Sequence, residues 1–347
     1  MYKIGIWGQY GNGGKIADGQ AVRTTIITRE LQMRYGKDAV GVVNTNGWRN
    51  HPIKFIWDSF MLVAKSHKVA IAPADNGYKV FVPLLLFFNI FFRRELIHIV
   101  IGGFLPALLR QKPRYLSMEN KFSAVFVQTE NLVKDLSEIG VRNLHISSNP
   151  KRLNTRKISD LRVWEEKEVK VCVFSRLNKV KGIEEAIEAV KRVNSILGGV
   201  FLKVDLYGLI QPGFEDWFNG LMAKNKEIAE YKGIIDFDKT VESLQQYFVL
   251  LFPTYYYGEG FPGNVVDAYN TGLPIIATDW LYNKDVITNG RNGILVPIQD
   301  VTALSDAILR LYNDRELHYK MAKNCLEDAK PYSPDEVLKE LYNEIEK

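Results

Sequence analysis

The sequence is poor in the features that mark secreted, disulfide-rich or metal-binding proteins. It has two cysteines in 347 residues, Cys172 and Cys325, which lie far apart in a strand-like and a helix-like segment. A disulfide framework or a zinc site is therefore not expected, and the five histidines lack the spacing of a metal-ligand pair. No basic region or cleavage site precedes the first apolar strand, which argues against a secretory signal. These absences predict a cytoplasmic protein with neither a metal nor another cofactor.

Long apolar runs are also lacking. The longest lies in VFVPLLLFFNIFFRR, residues 80–94. Its apolar part covers about thirteen residues, whereas a membrane-spanning helix needs about twenty. A buried helix is the first interpretation. The alternative is a helix in the membrane interface that ends in Arg93 and Arg94.

A glycine-rich loop, GQYGNGGKIADGQ at residues 8–20, follows the first apolar strand and is of the kind that holds phosphate. A P-loop ending at Gly14-Lys15 would need a glycine where Gln9 stands and a hydroxyl where Ile16 stands. A dinucleotide-binding fingerprint fails at the same isoleucine. The loop is therefore either a ligand loop outside these motifs or a turn without a ligand.

Charge is divided unevenly along the chain. Residues 1–165 hold 24 Lys and Arg against 12 Asp and Glu, a net charge of +12, and the remainder carries −7. A basic first half predicts an anionic partner, such as a membrane surface or a phosphorylated acceptor. Nucleic acid is not expected, because no nucleic-acid motif accompanies the charge. A solvated basic surface is the alternative.

Apolar strand-like runs alternate with helical stretches, which is the pattern of parallel sheets covered by helices on both faces. In the first half the predicted strands are YKIGIW, AVGVV, VAIAP, LIHIVI and AVFVQ. After the charged stretch RKISDLRVWEEKEVK they are VCVFSR, FLKVDLYG, YKGIID, FVLLFP, PIIATD and GILVP. Two Rossmann-like α/β domains that meet near residue 165 are predicted.

Two cations flank a strand end in the second half. The strand VCVFSR ends in Arg176, and Lys181 precedes Gly182 and a helix. Arginine suits bidentate contact with phosphate and lysine acts as a compact charge, so the pair could clamp a diphosphate. By itself this spacing is common in loops between strands and helices.

A second candidate segment follows the strand FVLLFP. The sequence YYYGEGFPGNVVDA leads into a helix that we expect to begin near Pro262, and a helix amino end favours phosphate. Glu259 precedes this helix and Asp267 lies inside it, eight positions later. Both are predicted to offer acceptors to hydroxyl groups, although either alone would be typical of a surface carboxylate.

Together with TGLPIIAT, these motifs strongly resemble the family 4 glycosyltransferases, which are retaining enzymes. The resemblance is specific over about residues 170–330 and looser before them. It implies a GT-B fold, in which two Rossmann-like parallel-sheet domains face a central cleft. Residues 1–165 would form the acceptor-side domain and 166–330 the nucleotide-sugar-binding domain. A C-terminal helix at 331–347 would cross back to the first domain.

The resemblance also implies residue roles. Arg176 and Lys181 match the pair that binds the donor diphosphate. Glu259 matches the first acid of the family's Glu, seven residues, Glu signature, which holds the transferred sugar; these three residues are the candidate catalytic groups. The other implied donor contacts are Gly13 and Gly14 in the glycine-rich loop, Gly260, Phe261 and Gly263 beneath the sugar, and Asp267 at the ribose.

Two departures from the family pattern stand out. Asp267 is one methylene shorter than the usual glutamate, which weakens the expected ribose contact. Many family members carry a histidine at the tip of a central strand in the first domain, where this sequence has Gly102-Gly103. His98 lies earlier in that strand and is predicted to be a core histidine without a catalytic role.

The sequence therefore predicts a retaining glycosyltransferase that moves a sugar from a nucleotide-diphosphate-sugar to a polysaccharide or lipid-linked acceptor. No metal is expected to assist, and an anionic membrane surface is a further expected partner. The alternatives are a non-catalytic GT-B-fold partner subunit and a sugar-nucleotide epimerase. An epimerase would alter the nucleotide sugar with no acceptor present.

Overall fold

The computed structural model describes residues 1–11 and 19–347, which form two compact units. Unit 1 comprises Met1–Lys151, Gly258–Phe261 and Tyr332–Lys347, and unit 2 comprises Arg152–Tyr257 and Pro262–Pro331. Each unit contains a six-stranded sheet in which neighbouring strands are parallel. The predicted α/β class is confirmed.

The sheet of unit 1 has the strand order β2-β1-β3-β4-β5-β6. Its strands are β1 (Tyr2–Gly8), β2 (Val40–Asn44), β3 (Ser66–Ala72), β4 (Glu95–Ile99), β5 (Ala124–Val127) and β6 (Leu144–Ile146). The α-helices of this unit are α1 (Gly19–Tyr35), α2 (Pro52–Lys65), α3 (Asp75–Phe92), α4 (Leu105–Gln111), α5 (Arg114–Glu119), α6 (Glu130–Ile139), α13 (Pro334–Val337) and α14 (Lys339–Glu346).

Helices cover both faces of this sheet, as the alternation of side chains along β1 shows. Ile4 and Ile6 are buried in a core that they share with α1, α13 and α14. Trp7 points to the other face, where its ring stacks 5.7 Å from Phe55 of α2 and 6.4 Å from Phe88 of α3. The strand β1 is therefore buried on both sides.

The C-terminal segment of the chain packs in unit 1. Leu338, Leu341 and Ile345 are buried in the core that contains β1. The single helix expected over 331–347 is divided, because Leu338 leaves the helical conformation and ends α13 before α14 begins. Its side chain is fully buried, so the break occurs at a core contact.

The sheet of unit 2 has the strand order β12-β11-β10-β7-β8-β9. Its strands are β7 (Val169–Phe174), β8 (Leu202–Tyr207), β9 (Ala229–Gly233), β10 (Leu250–Phe252), β11 (Ile275–Thr278) and β12 (Gly293–Val296). The α-helices of this unit are α7 (Ile183–Leu197), α8 (Glu215–Lys224), α9 (Thr240–Leu244), α10 (Gly263–Thr271), α11 (Val301–Asn313) and α12 (Arg315–Asp328).

The first boundary between the compact units lies after Lys151, whereas the sequence suggested residue 165. The charged stretch in between packs on unit 2. The backbone N–H of Arg156 donates to the Asn270 carbonyl at 2.9 Å, and the Thr155 hydroxyl donates to the Asn270 side chain at 2.5 Å. Because these bonds join residues distant in the chain, local charge gave no indication of them.

The strand β6 was not among the predicted strands. It has three residues, none of which is buried, so it lacks the apolar run that identified the others. Residues 80–94 were expected to form a buried helix, and α3 is buried along one face only. Phe87 and Phe91 on its other face are exposed. No helix within the described part of the chain is long and apolar enough to span a membrane.

A buried neutral histidine makes the core of unit 2 sensitive to acid. His318 of α12 stacks on Phe248 with ring centroids 4.1 Å apart, and its Nε2 donates to the Phe248 carbonyl at 2.5 Å. Burial lowers the pKa of His318 to about 4, with a smaller contribution from Arg315. Among the described residues, the Nδ1 atom has no hydrogen-bond partner, so protonation there would leave a buried charge unpaired.

We expect this pKa shift to reduce the stability of unit 2 in acid. The unfolded chain binds a proton at His318 near its ordinary pKa of 6.5, and the folded unit does so near 4. The contribution is thus fully present above pH 6.5 and is lost as pH falls toward 4, by about 3 kcal/mol in total. His318→Gln should flatten this pH dependence, measured from denaturant unfolding over a range of pH. The same pH dependence in His318→Gln as in the unaltered protein would contradict the assignment.

Candidate functional site

The two predicted cations lie at the carboxyl edge of the sheet of unit 2, where parallel sheets bind ligands. Arg176 is exposed and follows the end of β7 by two residues. Lys181 is half-buried and ends a 3₁₀ turn before α7. Its Nζ lies 4.8 Å from the ring centroid of Tyr256 and 5.9 Å from that of Phe252, the last residue of β10. Two charges thus stand beside the ends of adjacent strands.

A close backbone contact determines the course of the turn that carries Arg176. Gly208, directly after β8, has a φ of +139°, and a Cβ atom there would lie 1.7 Å from the Ser175 carbonyl oxygen. The Ser175 N–H in turn donates to the Tyr207 carbonyl at 3.1 Å. Only glycine fits this position. Gly208 was not predicted from the sequence, although a glycine directly after a buried strand is a recognisable signal.

The start of α10 is tied to the end of β7. Pro262 is the N-cap residue and Gly263, which is half-buried, is the first helical residue. The Asn264 side-chain amide donates to the carbonyl of Phe174, the last residue of β7, at 2.8 Å. This bond places the positive end of the helix dipole at the same sheet edge as Arg176. An anion is the ligand that this edge favours.

Asp267 lies in the interior of unit 2. Its side chain is 2% exposed, and one carboxylate oxygen accepts a hydrogen bond from the hydroxyl of Thr240 at 2.8 Å. Thr240 is itself fully buried at the start of α9. The carboxylate therefore joins α9 to α10 and is not a surface group.

The predicted sugar-binding segment belongs to unit 1, which includes Glu259, Gly260 and Phe261. Glu259 is half-buried, and Phe261 is buried with its ring centroid 5.2 Å from that of Tyr332. A Cβ atom at Gly260 would lie 2.7 Å from backbone atoms of Gly102, so the two backbones touch. The segment beside Glu259 is therefore held against the end of β4.

A chain of side-chain amides lines this contact. Gln128 accepts a bond from the Gly102 N–H at 3.0 Å and donates to Asn149 at 2.9 Å. Asn149 donates to the carbonyl of Phe261 at 2.8 Å. Neither amide was predicted from the sequence. Gln128 directly follows the buried strand β5, and a polar residue in that position is the signal that could have identified it.

A buried arginine holds the carboxyl ends of two strands in unit 1. Arg23 of α1 donates to the carbonyls of Val100 and Ser147, each at 2.6 Å. These residues follow β4 and β6. Burial lowers the pKa of Arg23 to about 9. These two hydrogen bonds fix the loops that follow β4 and β6 to helix α1.

The predicted donor contacts Gly13 and Gly14 lie outside the described residues. His98 is fully buried, its Nδ1 is 2.6 Å from a Glu119 oxygen, and the Tyr78 hydroxyl donates to the other oxygen of Glu119. The prediction of a core histidine is confirmed. Within residues 1–11 and 19–347, no three His, Cys, Asp or Glu side chains form a metal-ligand cluster.

Residues 154–328, half of the chain, match the family of glycosyl transferases group 1. The chain belongs to this family, which confirms the resemblance found in its motifs.

Curated relatives match the chain over part of their length. The GtfA subunit of the UDP-N-acetylglucosamine–peptide N-acetylglucosaminyltransferase of Streptococcus agalactiae is 27% identical over 229 residues, covering 61% of this chain and 44% of the relative. The poly(glycerol-phosphate) alpha-glucosyltransferase of Bacillus subtilis is 24% identical over 229 residues, covering 65% of this chain and 32% of the relative. The chain thus spans less than half the length of these relatives.

Solved structures show the same fold over the whole chain. The crystal structure of HepE from Anabaena, in complex with UDP and glucose, has a TM-score of 0.76 at 15% identity, and 100% of each chain is covered. This likeness confirms the GT-B fold.

The contact at Gly208 leads to a stability prediction. Gly208→Ala should lower the free energy of unfolding of unit 2 by about 3 kcal/mol, because the methyl group meets a backbone carbonyl and the positive φ disfavours alanine. Gly213→Ala is the matched control. Gly213 also has a positive φ of +88°, but a Cβ atom there would meet no atom of the described residues within 4 Å. The control should lose about 1 kcal/mol in denaturant unfolding; equal losses would show that the contact with Ser175 is unimportant.

Proposed function

We propose that this chain is a retaining glycosyltransferase that transfers a sugar from a nucleotide-diphosphate-sugar to a polysaccharide or lipid-linked acceptor. The observation that carries the proposal is the sheet edge of unit 2, where Arg176, Lys181 and the start of α10 surround the ends of two neighbouring strands. Two positive side chains and the amino end of a helix suit the negative charge of a diphosphate. The family to which the chain belongs supports a glycosyl group as the transferred group.

The proposed chemistry is stabilisation of the leaving diphosphate. Negative charge develops on the donor phosphates as the bond to the sugar breaks. Arg176 can contact phosphate oxygens through two N–H groups, and Lys181 contributes a compact positive charge. The amino end of α10 adds oriented N–H groups and the dipole. The backbone contact at Gly208 and the bond from Asn264 fix the turn that carries Arg176 and the start of α10, which limits the reorganisation needed when the charge appears.

The remaining roles follow the family pattern. Glu259 would hold the transferred sugar, and the backbone of Gly260, Phe261 and Gly263 would pass beneath it. Asp267 would accept from the ribose hydroxyls while sharing its carboxylate with Thr240. We assign no protein base. In a retaining front-face displacement, the donor phosphate assists deprotonation of the acceptor.

The first donors to test are UDP-sugars, because HepE was crystallised with UDP and glucose and the GtfA relative is named for UDP-N-acetylglucosamine. A panel of UDP-, GDP- and dTDP-sugars should identify the donor by thermal stabilisation. A ligand at about 100 times its Kd adds about 2.7 kcal/mol to the stability of the native state. Donor turnover distinguishes the proposal from its alternatives: a partner subunit would show none, and an epimerase would convert the donor sugar with no acceptor added.

The diphosphate clamp is testable by charge removal. Arg176→Ala combined with Lys181→Ala should lower the affinity for the nucleoside diphosphate at least about a hundredfold and abolish turnover, since each charged contact is worth about 1.5–3 kcal/mol. Calorimetric titration with the diphosphate measures the loss. Lys179→Ala, at an exposed lysine in the same 3₁₀ turn, is the control and should bind as the unaltered protein does. Undiminished affinity in the double variant would mean that the clamp is misassigned.

The two acids should separate kinetically. Glu259→Gln should lower kcat and kcat/KM together, about ten- to a hundredfold, because its contact tightens as the sugar changes charge. Asp267→Asn should mainly raise the donor KM, because ribose does not react. Kinetics over a range of donor concentrations separate these outcomes.

A control isolates the structural part of the Asp267 effect. Thr240→Val removes the hydroxyl bound to Asp267 without removing the carboxylate. It should lower stability and leave the donor KM nearly unchanged. The roles would be reversed if Asp267→Asn lost kcat at saturating donor while Glu259→Gln only raised KM.

A further inference from the structure

One helix of unit 1 is apolar on the face that it exposes as well as on the face that it buries. Leu85 and Phe88 of α3 point into the core, and Phe87, Ile90 and Phe91 stand on the opposite side. A surface helix normally presents charged or polar residues there. The exposed face of α3 therefore requires an explanation other than packing within the unit.

The exposed apolar surface continues onto the neighbouring helix α2. The apolar patch consists of Ile53, Ile56 and Trp57 of α2 and Phe87, Ile90 and Phe91 of α3, which are 47–83% exposed. A series of ring contacts links its two sides: Phe87–Phe91 at 5.8 Å, Phe91–Phe92 at 6.5 Å, Phe92–Phe60 at 5.1 Å and Phe60–Trp57 at 6.4 Å. Single exposed apolar residues are ordinary, but a connected group of this kind marks an interaction site.

Cations are fixed at one end of these helices. Arg93 caps α3 with a φ of +51°, a conformation usually taken by glycine. The backbone of Arg94 is held by two bonds to the Asn89 side chain, at 2.7 and 2.9 Å. The Arg94 guanidinium donates to the carbonyl of Ala64 at 3.0 Å, next to the exposed Lys65 at the end of α2. Lys65, Arg93 and Arg94 are therefore gathered beside the apolar patch.

The acids on the two helices do not offset these cations. Asp58 is ion-paired with Lys54, and Asp75 is ion-paired with Lys79 at 2.8 Å. Residues 52–94 contain six Lys and Arg against two Asp. Among the described residues, no carboxylate is ion-paired with the cations at the helix ends. One cation at a helix end is accounted for by the helix dipole. The helix dipole does not account for a cluster of three cations beside an apolar face.

We propose that the apolar patch and the adjoining cations dock unit 1 on an anionic lipid bilayer. Aromatic and aliphatic side chains with flanking Lys and Arg are the composition of surfaces that lie in the membrane interface. Trp57 suits the headgroup level, and the basic side chains suit anionic headgroups. The net charge of +12 in residues 1–165 favours an anionic surface over a neutral one. The inference concerns a surface outside the proposed donor site and does not depend on catalysis.

The test is cosedimentation of the full chain with vesicles of phosphatidylcholine, with and without about 30% phosphatidylglycerol. The protein should bind the anionic vesicles, and raising salt from about 0.05 M to about 0.5 M should weaken binding. Phe87→Ser with Phe91→Ser should reduce binding at least about tenfold. Lys65→Glu should reduce it at least about fivefold, since each charge near such a surface contributes about that factor.

Matched controls separate the patch from general surface effects. Ile196→Ser alters an isoleucine on α7 of unit 2 that is about as exposed as Phe87 and Phe91. Lys37→Glu alters an exposed lysine elsewhere in unit 1. The isoleucine control should bind as the unaltered protein does, and the lysine control should lose less than Lys65→Glu. Binding to neither type of vesicle, or equally to both, would overturn the proposal. Concentration-dependent self-association that the two Phe→Ser changes abolish would also overturn it, because the patch would then pair two copies of the chain.

Discussion

Backbone contacts that leave no room for a β-carbon determine how the carboxyl edges of both sheets are built. A Cβ atom at Gly208 would lie 1.7 Å from the Ser175 carbonyl oxygen, and one at Gly260 would lie 2.7 Å from the backbone it packs against. Backbone atoms cannot move aside as the end of a flexible side chain can. Each contact therefore fixes a turn that carries a candidate group: Arg176 follows the first, and Glu259 precedes the second. Preorganised charge of the kind that catalysis requires begins with these two contacts.

Buried hydrogen bonds hold the same segment of unit 1 as the contact at Gly260. Gln128 and Asn149 bridge the ends of strands and the segment that contains Phe261, and both amides are buried. Removing one partner of such a chain would leave a buried polar group unsatisfied, which costs more than the bond itself contributes. Arg23 acts in the same way through two backbone carbonyls. In unit 1, buried polar side chains therefore add to the backbone contact at Gly260 in holding the turns.

The sequence predicted what depends on local pattern and missed what depends on distant contacts. Buried strands were recognisable as apolar runs between turns, whereas Leu144–Ile146 carries no such run. The places of Arg176 after a strand and of Lys181 before a helix were also recognisable from local pattern, and the structure has them there. The partnership of Asp267 with Thr240 joins residues 27 positions apart, and no local pattern encodes it. The packing of the charged stretch near Arg156 on unit 2 was missed for the same reason.

The burial of Asp267 affects how much each proposed donor contact contributes to the binding free energy of the donor. Its carboxylate is 2% exposed and already accepts a bond from Thr240. The carboxylate has acceptor positions besides the one that Thr240 uses, but a ribose hydroxyl would have to reach a side chain that is almost fully buried. Arg176 is exposed, so a phosphate can contact its guanidinium directly and add charge attraction there. In the proposed function, the diphosphate therefore supplies more of the donor's binding free energy than the ribose does. The shorter acid in place of the family's usual glutamate shifts the balance further in that direction.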